Sequence, residues 1–186
     1  VYFGYDSYKP GQEEIIDSIL AGKDVLAIMP TGSGKSICYQ VPALLLPGIT
    51  IVISPLISLM QDQVKALNEA GIKAGYINSS LTESQISTVY ARALDGAYKI
   101  LYVAPERLES YEFTNFVDKV GISMVTVDEA HCISQWGQDF RPSYLKIVDF
   151  IDGLSKRPIV SAFTATATEE VKNDISCVLK LKDPKI

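Results

Sequence analysis

The chain has 186 residues, is 47% hydrophobic and carries a formal net charge of −5 at pH 7. That length allows one domain with a sizeable core, and the charge excludes a generally basic nucleic-acid binder. No apolar run approaches the roughly 20 residues of a membrane-spanning helix, and no basic-then-apolar leader opens the chain, so we expect a soluble intracellular protein. Because the first residue is Val1, we also expect a fragment of a longer protein.

Predicted helices and strands alternate along the chain. Residues 1–11 mix aromatic residues with glycine and proline, which predicts a structured loop. Apolar residues at helical spacing, with a capping box at Thr82 and Gln85, predict helices at residues 12–20, 35–46, 56–67, 82–94, 111–119, 143–151 and 169–179. Apolar, β-branched runs predict strands at residues 24–29, 50–54, 73–78, 99–103, 122–127 and 158–163. This alternation predicts an α/β domain with a mainly parallel sheet, whose ligands bind beyond the carboxyl ends of the strands.

A glycine-rich stretch, Met29-Pro30-Thr31-Gly32-Ser33-Gly34-Lys35-Ser36, joins the first predicted strand to the second predicted helix. It fits the phosphate-binding pattern G-x-x-x-x-G-K-[ST] except that Met29 replaces the first glycine. The backbone N–H groups of such a loop converge on phosphate oxygens, Lys35 would reach the outer phosphates, and the Ser36 hydroxyl would bind a magnesium ion. The alternative is an ordinary Gly/Ser-rich turn that leads into a helix.

An acidic pair, Asp128 and Glu129, directly follows the strand predicted at residues 122–127. A nucleotide hydrolase needs one carboxylate near the metal and another near the attacking water. Asp128 would therefore hold magnesium and Glu129 would orient or deprotonate the water. Ordinary solvation of two loop carboxylates is the alternative.

The only histidine, His131, follows the acidic pair and could relay between the nucleotide site and a neighbouring segment. A metal-ligand role is not expected for it without a second histidine or a paired cysteine. Cys38, Cys132 and Cys177 are odd in number and widely spaced, which is typical of reduced thiols rather than of disulfides or a zinc site.

An aromatic stretch at residues 135–142 contains Trp136, Phe140 and Arg141. Aromatic rings and a guanidinium group can together stack on unpaired bases and hold phosphates. The alternative is that Trp136 and Phe140 pack beneath the loop.

Four stretches together resemble the ordered motifs of the superfamily 2 helicases. They are residues 29–36, Asp128-Glu129-Ala130-His131 (a DEAH box), Tyr102-Val103-Ala104-Pro105-Glu106-Arg107-Leu108 and Ser161-Ala162-Phe163-Thr164-Ala165-Thr166-Ala167-Thr168. Residues 128–142, taken whole, are similar to the RecQ DNA helicases, whose aromatic-rich loop is far more specific than a phosphate loop. The resemblance covers the chain from Phe3 to about Thr168.

The resemblance implies roles for particular residues. For adenine it implies Tyr5, Lys9 and Gln12, with Thr31, Gly32, Ser33, Gly34, Lys35 and Ser36 around the phosphates. For single-stranded DNA it implies Ser54, Pro55 and Arg107, while Trp136, Phe140 and Arg141 would couple the strand to ATP turnover. Residues 164–166 would link the nucleotide site to the domain interface.

The resemblance also implies a whole-protein activity. It predicts that residues 1–186 form the first RecA-like motor domain, a three-layer P-loop fold, of an ATP-dependent and magnesium-dependent 3′-to-5′ DNA helicase. Its partners would be single-stranded and branched DNA and a second RecA-like domain of the same parent chain, in the bacterial cytoplasm or the eukaryotic nucleus. Because that second domain supplies a catalytic arginine, we expect very slow hydrolysis and no unwinding by residues 1–186 alone. The alternatives are a superfamily 2 RNA helicase and a nucleotide-binding module without turnover.

Overall fold

A single parallel sheet forms the centre of the protein. The computed structural model describes residues 7–30, 34–137, 139–182 and 184. The strands are β1 Val25–Ile28, β2 Ile49–Ile53, β3 Ala74–Ile77, β4 Ile100–Val103, β5 Ile122–Val127 and β6 Ile159–Thr164. They lie in the order β1-β6-β5-β2-β4-β3, and each pairing is parallel. The predicted α/β class is confirmed, with the strand bounds shifted by one residue at most.

Helices cover both faces of the sheet, as parallel strands require because each connection must cross over. The helices are α1 Gln12–Leu20, α2 Lys35–Leu45, α3 Ile57–Glu69, α4 Glu83–Leu94, α5 Tyr111–Val117, α6 Lys146–Asp152 and α7 Glu169–Val178. Helices α1, α2 and α3 bury residues in one core layer, and α4 to α7 bury residues in the other. The result is three layers, helix on sheet on helix.

The element boundaries follow local chemistry. The predicted capping box starts α4, where Gln85 N donates to Thr82 Oγ1 at 3.2 Å and Thr82 N donates to Gln85 Oε1 at 2.8 Å. Pro42 lies inside α2, which continues beyond it to Leu45. The helix predicted at residues 143–151 instead begins as a 3-10 turn, Pro142–Leu145, before α6. A second 3-10 turn, Ala130–Ile133, directly follows the acidic pair and was not predicted.

Asp24 ties together the amino-end edge of the sheet. Its side chain is buried, and Oδ1 accepts hydrogen bonds from Val160 N at 3.0 Å and Arg157 Nη1 at 3.2 Å. Oδ2 accepts from Arg157 Nη2 at 2.8 Å and Lys182 N at 2.7 Å. A buried carboxylate is stable only when it is paired and hydrogen-bonded in this way. These bonds fix the starts of β1 and β6 relative to each other, at the end of the sheet opposite the carboxyl ends of the strands.

In the part of the chain that the structure describes, none of the helices is both long and apolar enough to span a bilayer.

Candidate active site

Two loops at the carboxyl ends of β1 and β5 bring Lys35 and the acidic pair together. Lys35 belongs to the glycine-rich stretch and starts α2, and β6 alone separates β1 from β5 in the sheet. Lys35 Nζ lies 3.1 Å from Asp128 Oδ1 and 3.1 Å from Glu129 Oε1. Ninety-three residues separate Lys35 from Asp128 in sequence, so the parallel sheet, not local spacing, creates this cluster.

The glycine-rich stretch is held at its two ends. Met29 is buried, its backbone N–H donates to Thr164 O at 2.9 Å, and its Sδ lies 3.7 Å from Cys38 Sγ. The residue that replaces the pattern's first glycine therefore packs into the core, as its position at the strand end predicts. At the other end Gly34 has φ +78, and a Cβ there would collide with Gln12 Nε2. Only glycine fits at position 34. Thr31, Gly32 and Ser33 lie outside the described residues.

Gln12 links the segment before α1 to the glycine-rich stretch. Its side chain is buried, Oε1 accepts a hydrogen bond from Lys9 N at 2.7 Å, and Nε2 donates to Gly34 O at 3.0 Å. A cavity of about 510 Å³ is lined by Lys9, by residues of α1 and β1, and by Met29 and Pro30, and Gln12 itself does not line it. This volume falls in the range of small-molecule sites. Tyr5, the third residue expected at a base, lies outside the described residues.

The electrostatics of the acidic pair reflect burial first and charge second. Asp128 is only 4% exposed, and burial raises the pKa of its carboxyl group although the attraction of Lys35 opposes that shift. Burial lowers the pKa of Lys35, but attraction to Asp128 and Glu129 outweighs it, so the pKa lies above its usual value. A positive amine thus faces the two acids in a region with little water.

The backbone at the acidic pair is unusual. Glu129 has φ +52 and ψ +46, the left-handed region that residues other than glycine rarely adopt. Its backbone N–H donates to Asp128 Oδ1 at 2.9 Å, and the Tyr144 hydroxyl donates to Asp128 O at 2.8 Å. Strain of this kind persists only when neighbouring contacts enforce it, and it is frequent at catalytic positions. Tyr144 is a supporting residue that the sequence pattern did not reveal.

His131 lies between the acidic pair, β6 and the aromatic stretch. Its Nδ1 is 2.7 Å from Thr164 Oγ1 and 3.6 Å from Glu129 Oε2, and its Nε2 is 3.6 Å from Asp139 Oδ2. Thr164 Oγ1 also donates to Thr166 O at 3.2 Å. One imidazole therefore contacts the acidic pair, β6 and the aromatic stretch, and a relay role for His131 stays a prediction.

A second cavity, of about 480 Å³, lies at the carboxyl ends of β2 and β4. Pro55 and Arg107 both line it, together with Ile57 and Ser110. Ser54 differs from its two predicted companions, since it is 1% exposed and its Oγ accepts a hydrogen bond from Leu56 N at 3.4 Å. Its side chain shapes the turn, and the surface of this cavity comes from the other residues.

The aromatic stretch presents its tryptophan to solvent. Trp136 is 68% exposed, which does not agree with the alternative that its ring packs beneath the loop. Phe140 is half-buried, and the Arg141 backbone is fixed because its N–H donates to Cys132 O at 2.8 Å. Arg141 Nε is buried and has no hydrogen-bond partner in the described structure. The stretch therefore exposes the Trp136 side chain to solvent, while its backbone is held in place at Arg141.

Comparison with known proteins decides the family. The sequence profile of DEAD/DEAH box helicases matches residues 9–174. The chain belongs to the DEAD/DEAH box helicase family. It is 53% identical over 175 residues to the ATP-dependent DNA helicase RecQ of Bacillus subtilis (strain 168), which is 94% of this chain and 30% of that protein. It is 48% identical over 184 residues to the ATP-dependent DNA helicase RecQ of Pasteurella multocida (strain Pm70), covering 99% of this chain and 29% of that protein.

Within the DEAD/DEAH box family, these identities confirm the predicted place among the RecQ helicases of superfamily 2, as a RecA-like motor domain. They do not favour the alternative of an RNA helicase. The chain spans less than a third of the length of these two relatives. The helicase MrfA bound to DNA and AMPPNP has a TM-score of 0.75 at 17% identity, covering 98% of this chain and 27% of that one, which confirms the fold alone.

The reactivity of the three cysteines tests which of their side chains are buried in this helicase domain. Burial raises the pKa of Cys38 to about 11 and that of Cys132 to about 12, whereas Cys177 is exposed. A thiol whose pKa is raised stays protonated below that value, so at pH 8 the thiolate fraction of the two buried cysteines is about 10⁻³ or less.

We expect one fast-reacting thiol in the native chain and three after unfolding, measured with a chromogenic disulfide reagent at pH 8. Cys177→Ser should abolish the fast phase without changing the total by more than that one thiol. Two fast thiols in the native protein would contradict the burial of Cys38 and Cys132.

Proposed function

We propose that residues 1–186 are the ATP-binding motor domain of a longer, RecQ-type, ATP-dependent DNA helicase. The observation that carries the proposal is the contact of Lys35 with both Asp128 and Glu129 at the carboxyl ends of β1 and β5. Phosphoryl transfer needs positive charge near the phosphate oxygens and a carboxylate near the attacking water. This cluster supplies both within one loop pair.

In this proposal Lys35 binds the outer phosphates, and Gly34 with Thr31, Gly32 and Ser33 supplies backbone N–H donors to them. Lys9, Gln12 and Tyr5 bind the adenine, for which the neighbouring cavity of about 510 Å³ has room. Glu129 accepts a proton from the attacking water or orients it, while the amine of Lys35 stabilises the charge that develops on the transferred group.

A magnesium ion fits the donor set. The Ser36 hydroxyl and the Asp128 carboxylate are hard oxygen ligands of the type that Mg²⁺ prefers, and Ser36 directly follows Lys35, whose amine contacts Asp128. When bound, the ion would neutralise charge on the phosphate oxygens. Burial raises the pKa of Asp128 because it destabilises the charged carboxylate. A bound cation would stabilise that charge.

The DNA surface in this proposal consists of two parts. Pro55 and Arg107 line one cavity, where the Arg107 guanidinium would bind phosphate and Ser54 would shape the turn. Trp136 supplies an exposed ring for stacking, with Phe140 and Arg141 behind it. Because the net charge of the chain is −5, DNA contact must be local to these groups.

A second RecA-like domain of the same parent chain would complete the active site with a catalytic arginine. We propose that residues 1–186 alone therefore hydrolyse ATP very slowly and do not unwind DNA, since such an arginine contributes about 10³- to 10⁵-fold in rate. The full-length protein would translocate 3′ to 5′ on single-stranded DNA and act on branched DNA in repair and recombination. It would work in the bacterial cytoplasm or, in a eukaryote, in the nucleus.

The test of this proposal compares polynucleotides as activators. The full-length protein should hydrolyse ATP faster when single-stranded DNA is added, measured as phosphate release at saturating ATP and magnesium. RNA of the same sequence and length is the matched control and should stimulate much less. Stimulation by RNA alone would reverse the choice of substrate, and hydrolysis unaffected by either polymer would remove the helicase assignment.

A further inference from the structure

A chain of hydrogen-bonded polar side chains runs between α2, α3 and β4; Tyr39, Gln40 and Tyr102 are buried, and Ser36 and Gln63 are partly exposed. The Tyr39 and Tyr102 hydroxyl groups lie 3.0 Å apart, and both residues are 1% exposed. Gln40 Nε2 donates to Tyr102 Oη at 3.1 Å and to Gln63 Oε1 at 2.9 Å. Gln63 Nε2 in turn faces Ser36 Oγ at 3.4 Å. We call these five residues the polar chain.

Tyr39 and Tyr102 belong to a core layer that is otherwise apolar. Burial raises the pKa of Tyr102 to about 12, so its hydroxyl is neutral and offers only hydrogen bonds. Buried polar groups are costly unless fully bonded, and apolar residues of similar volume often stabilise a core equally well. Stability alone therefore does not explain a continuous set of hydrogen bonds that ends on Ser36, which indicates a functional role.

Three members of the polar chain, Ser36, Gln63 and Tyr102, lie on different functional segments. Ser36 is the proposed magnesium ligand. Gln63 is on α3, which begins at Ile57, two residues after Pro55. Tyr102 is on β4, which is followed by the 3-10 turn Pro105–Arg107. Pro55 and Arg107 line the same cavity, so both segments that form it are also joined to Ser36 through the polar chain.

We propose that Gln63, supported by Gln40 and Tyr102, is a positioning residue that orients the Ser36 hydroxyl and links that orientation to the DNA-contact segments. This inference rests on the function proposed above. A hydroxyl oxygen has two lone pairs, so Ser36 Oγ can accept from Gln63 and still bind a cation. The Gln63 carbonyl is held by Gln40, which prevents the amide from turning over. Movement of α3 or β4 on DNA contact changes the distance from Gln63 to Ser36.

Groups that orient a metal ligand from behind typically change metal affinity or activity about 10- to 100-fold when removed. In the full-length protein, Gln63→Met keeps the side-chain length and removes both hydrogen bonds. Its matched control is Gln61→Met on the same helix, where the Gln61 amide donates to Ser80 Oγ at the surface. Tyr102→Phe removes one hydroxyl, and its matched control is Tyr90→Phe, whose buried hydroxyl has no hydrogen-bond partner in the described structure.

Four quantities are measured for each variant: the magnesium concentration at half-maximal ATPase rate, the KM for ATP at saturating magnesium, the ratio of ATPase rates with and without single-stranded DNA, and the melting temperature. For Gln63→Met we expect the half-saturating magnesium concentration to rise about 10-fold, with a reduced DNA ratio and unchanged KM for ATP at saturating magnesium. Tyr102→Phe should also raise the half-saturating magnesium concentration and lower the DNA ratio, but by less. Gln61→Met and Tyr90→Phe should match the unmodified protein.

A folded Gln63→Met variant with the original magnesium requirement would overturn the positioning role. A magnesium shift without any loss of DNA stimulation would overturn the link to the DNA-contact segments. If Tyr102→Phe fails to fold, Gln63→Met at its partly exposed position still decides. Absence of DNA stimulation in the unmodified protein would instead refute the proposed function, while the magnesium shift would separately support the positioning of Ser36.

Discussion

Replacing Glu129 with glutamine in the full-length protein should lower the ATPase rate by about 10²- to 10⁴-fold, the usual contribution of a general base. Glutamine has the same shape as glutamate but cannot accept a proton at neutral pH. ATP binding should remain, because Lys35 keeps its contact with Asp128 Oδ1 at 3.1 Å and the glycine-rich stretch is unchanged. The measurement pairs single-turnover hydrolysis with equilibrium binding of a fluorescent ATP analogue.

Glu69→Gln is the matched control for this substitution, since Glu69 is exposed at the end of α3, away from the acidic pair. That variant should hydrolyse ATP like the unmodified protein. An unaltered rate for Glu129→Gln would remove Glu129 from the mechanism. ATP binding without hydrolysis in the unmodified full-length protein would favour the alternative of a nucleotide-binding module.

Replacing Trp136 with alanine should weaken the response of ATP turnover to DNA. One stacked base contributes about 1–3 kcal/mol of binding, so the concentration of single-stranded DNA that gives half-maximal stimulation should rise by about 5- to 150-fold. The basal ATPase rate and the melting temperature should not change, because Trp136 is 68% exposed and little of its area is buried. The measurement is the ATPase rate as a function of single-stranded DNA concentration, with thermal unfolding of the same sample.

Leu45→Ala is the control for loss of a large exposed apolar group, since Leu45 is 65% exposed at the end of α2. It should leave DNA stimulation intact. A Trp136→Ala protein that unfolds several degrees earlier would favour the packing role for the ring. Full DNA stimulation in a folded Trp136→Ala protein would remove the ring from the DNA surface.

The sequence predicted the fold well because its signals are local. Buried parallel strands are apolar throughout, and the capping box at Thr82 and Gln85 needs only residues three apart. The contact between Lys35 and the acidic pair was predicted from motif chemistry together with the rule that ligands bind at the carboxyl ends of parallel strands. The structure adds the reason, which is that β1 and β5 flank the same strand.

The residues that sequence reasoning missed depend on long-range contacts. Tyr144 supports the acidic pair through a backbone carbonyl, and no spacing rule connects positions 144 and 128. Gln40 carried a weak signal, because it is a polar residue among the buried positions of α2. Gln63 carried none, since glutamine on a partly exposed helix face is ordinary. Ser54 was predicted from resemblance as a DNA contact, and only the structure reveals that its side chain is buried.

The left-handed backbone at Glu129 has an evolutionary consequence. Holding a residue with a Cβ at φ +52 costs about 1–2 kcal/mol, and glycine at that position would avoid this strain. A chain selected for heat resistance alone would therefore discard the carboxylate to which the proposed mechanism assigns the attacking water. Engineering that raises the thermal stability of this domain by relieving backbone strain should leave position 129 unchanged. A substitution there is expected to increase stability and to reduce activity.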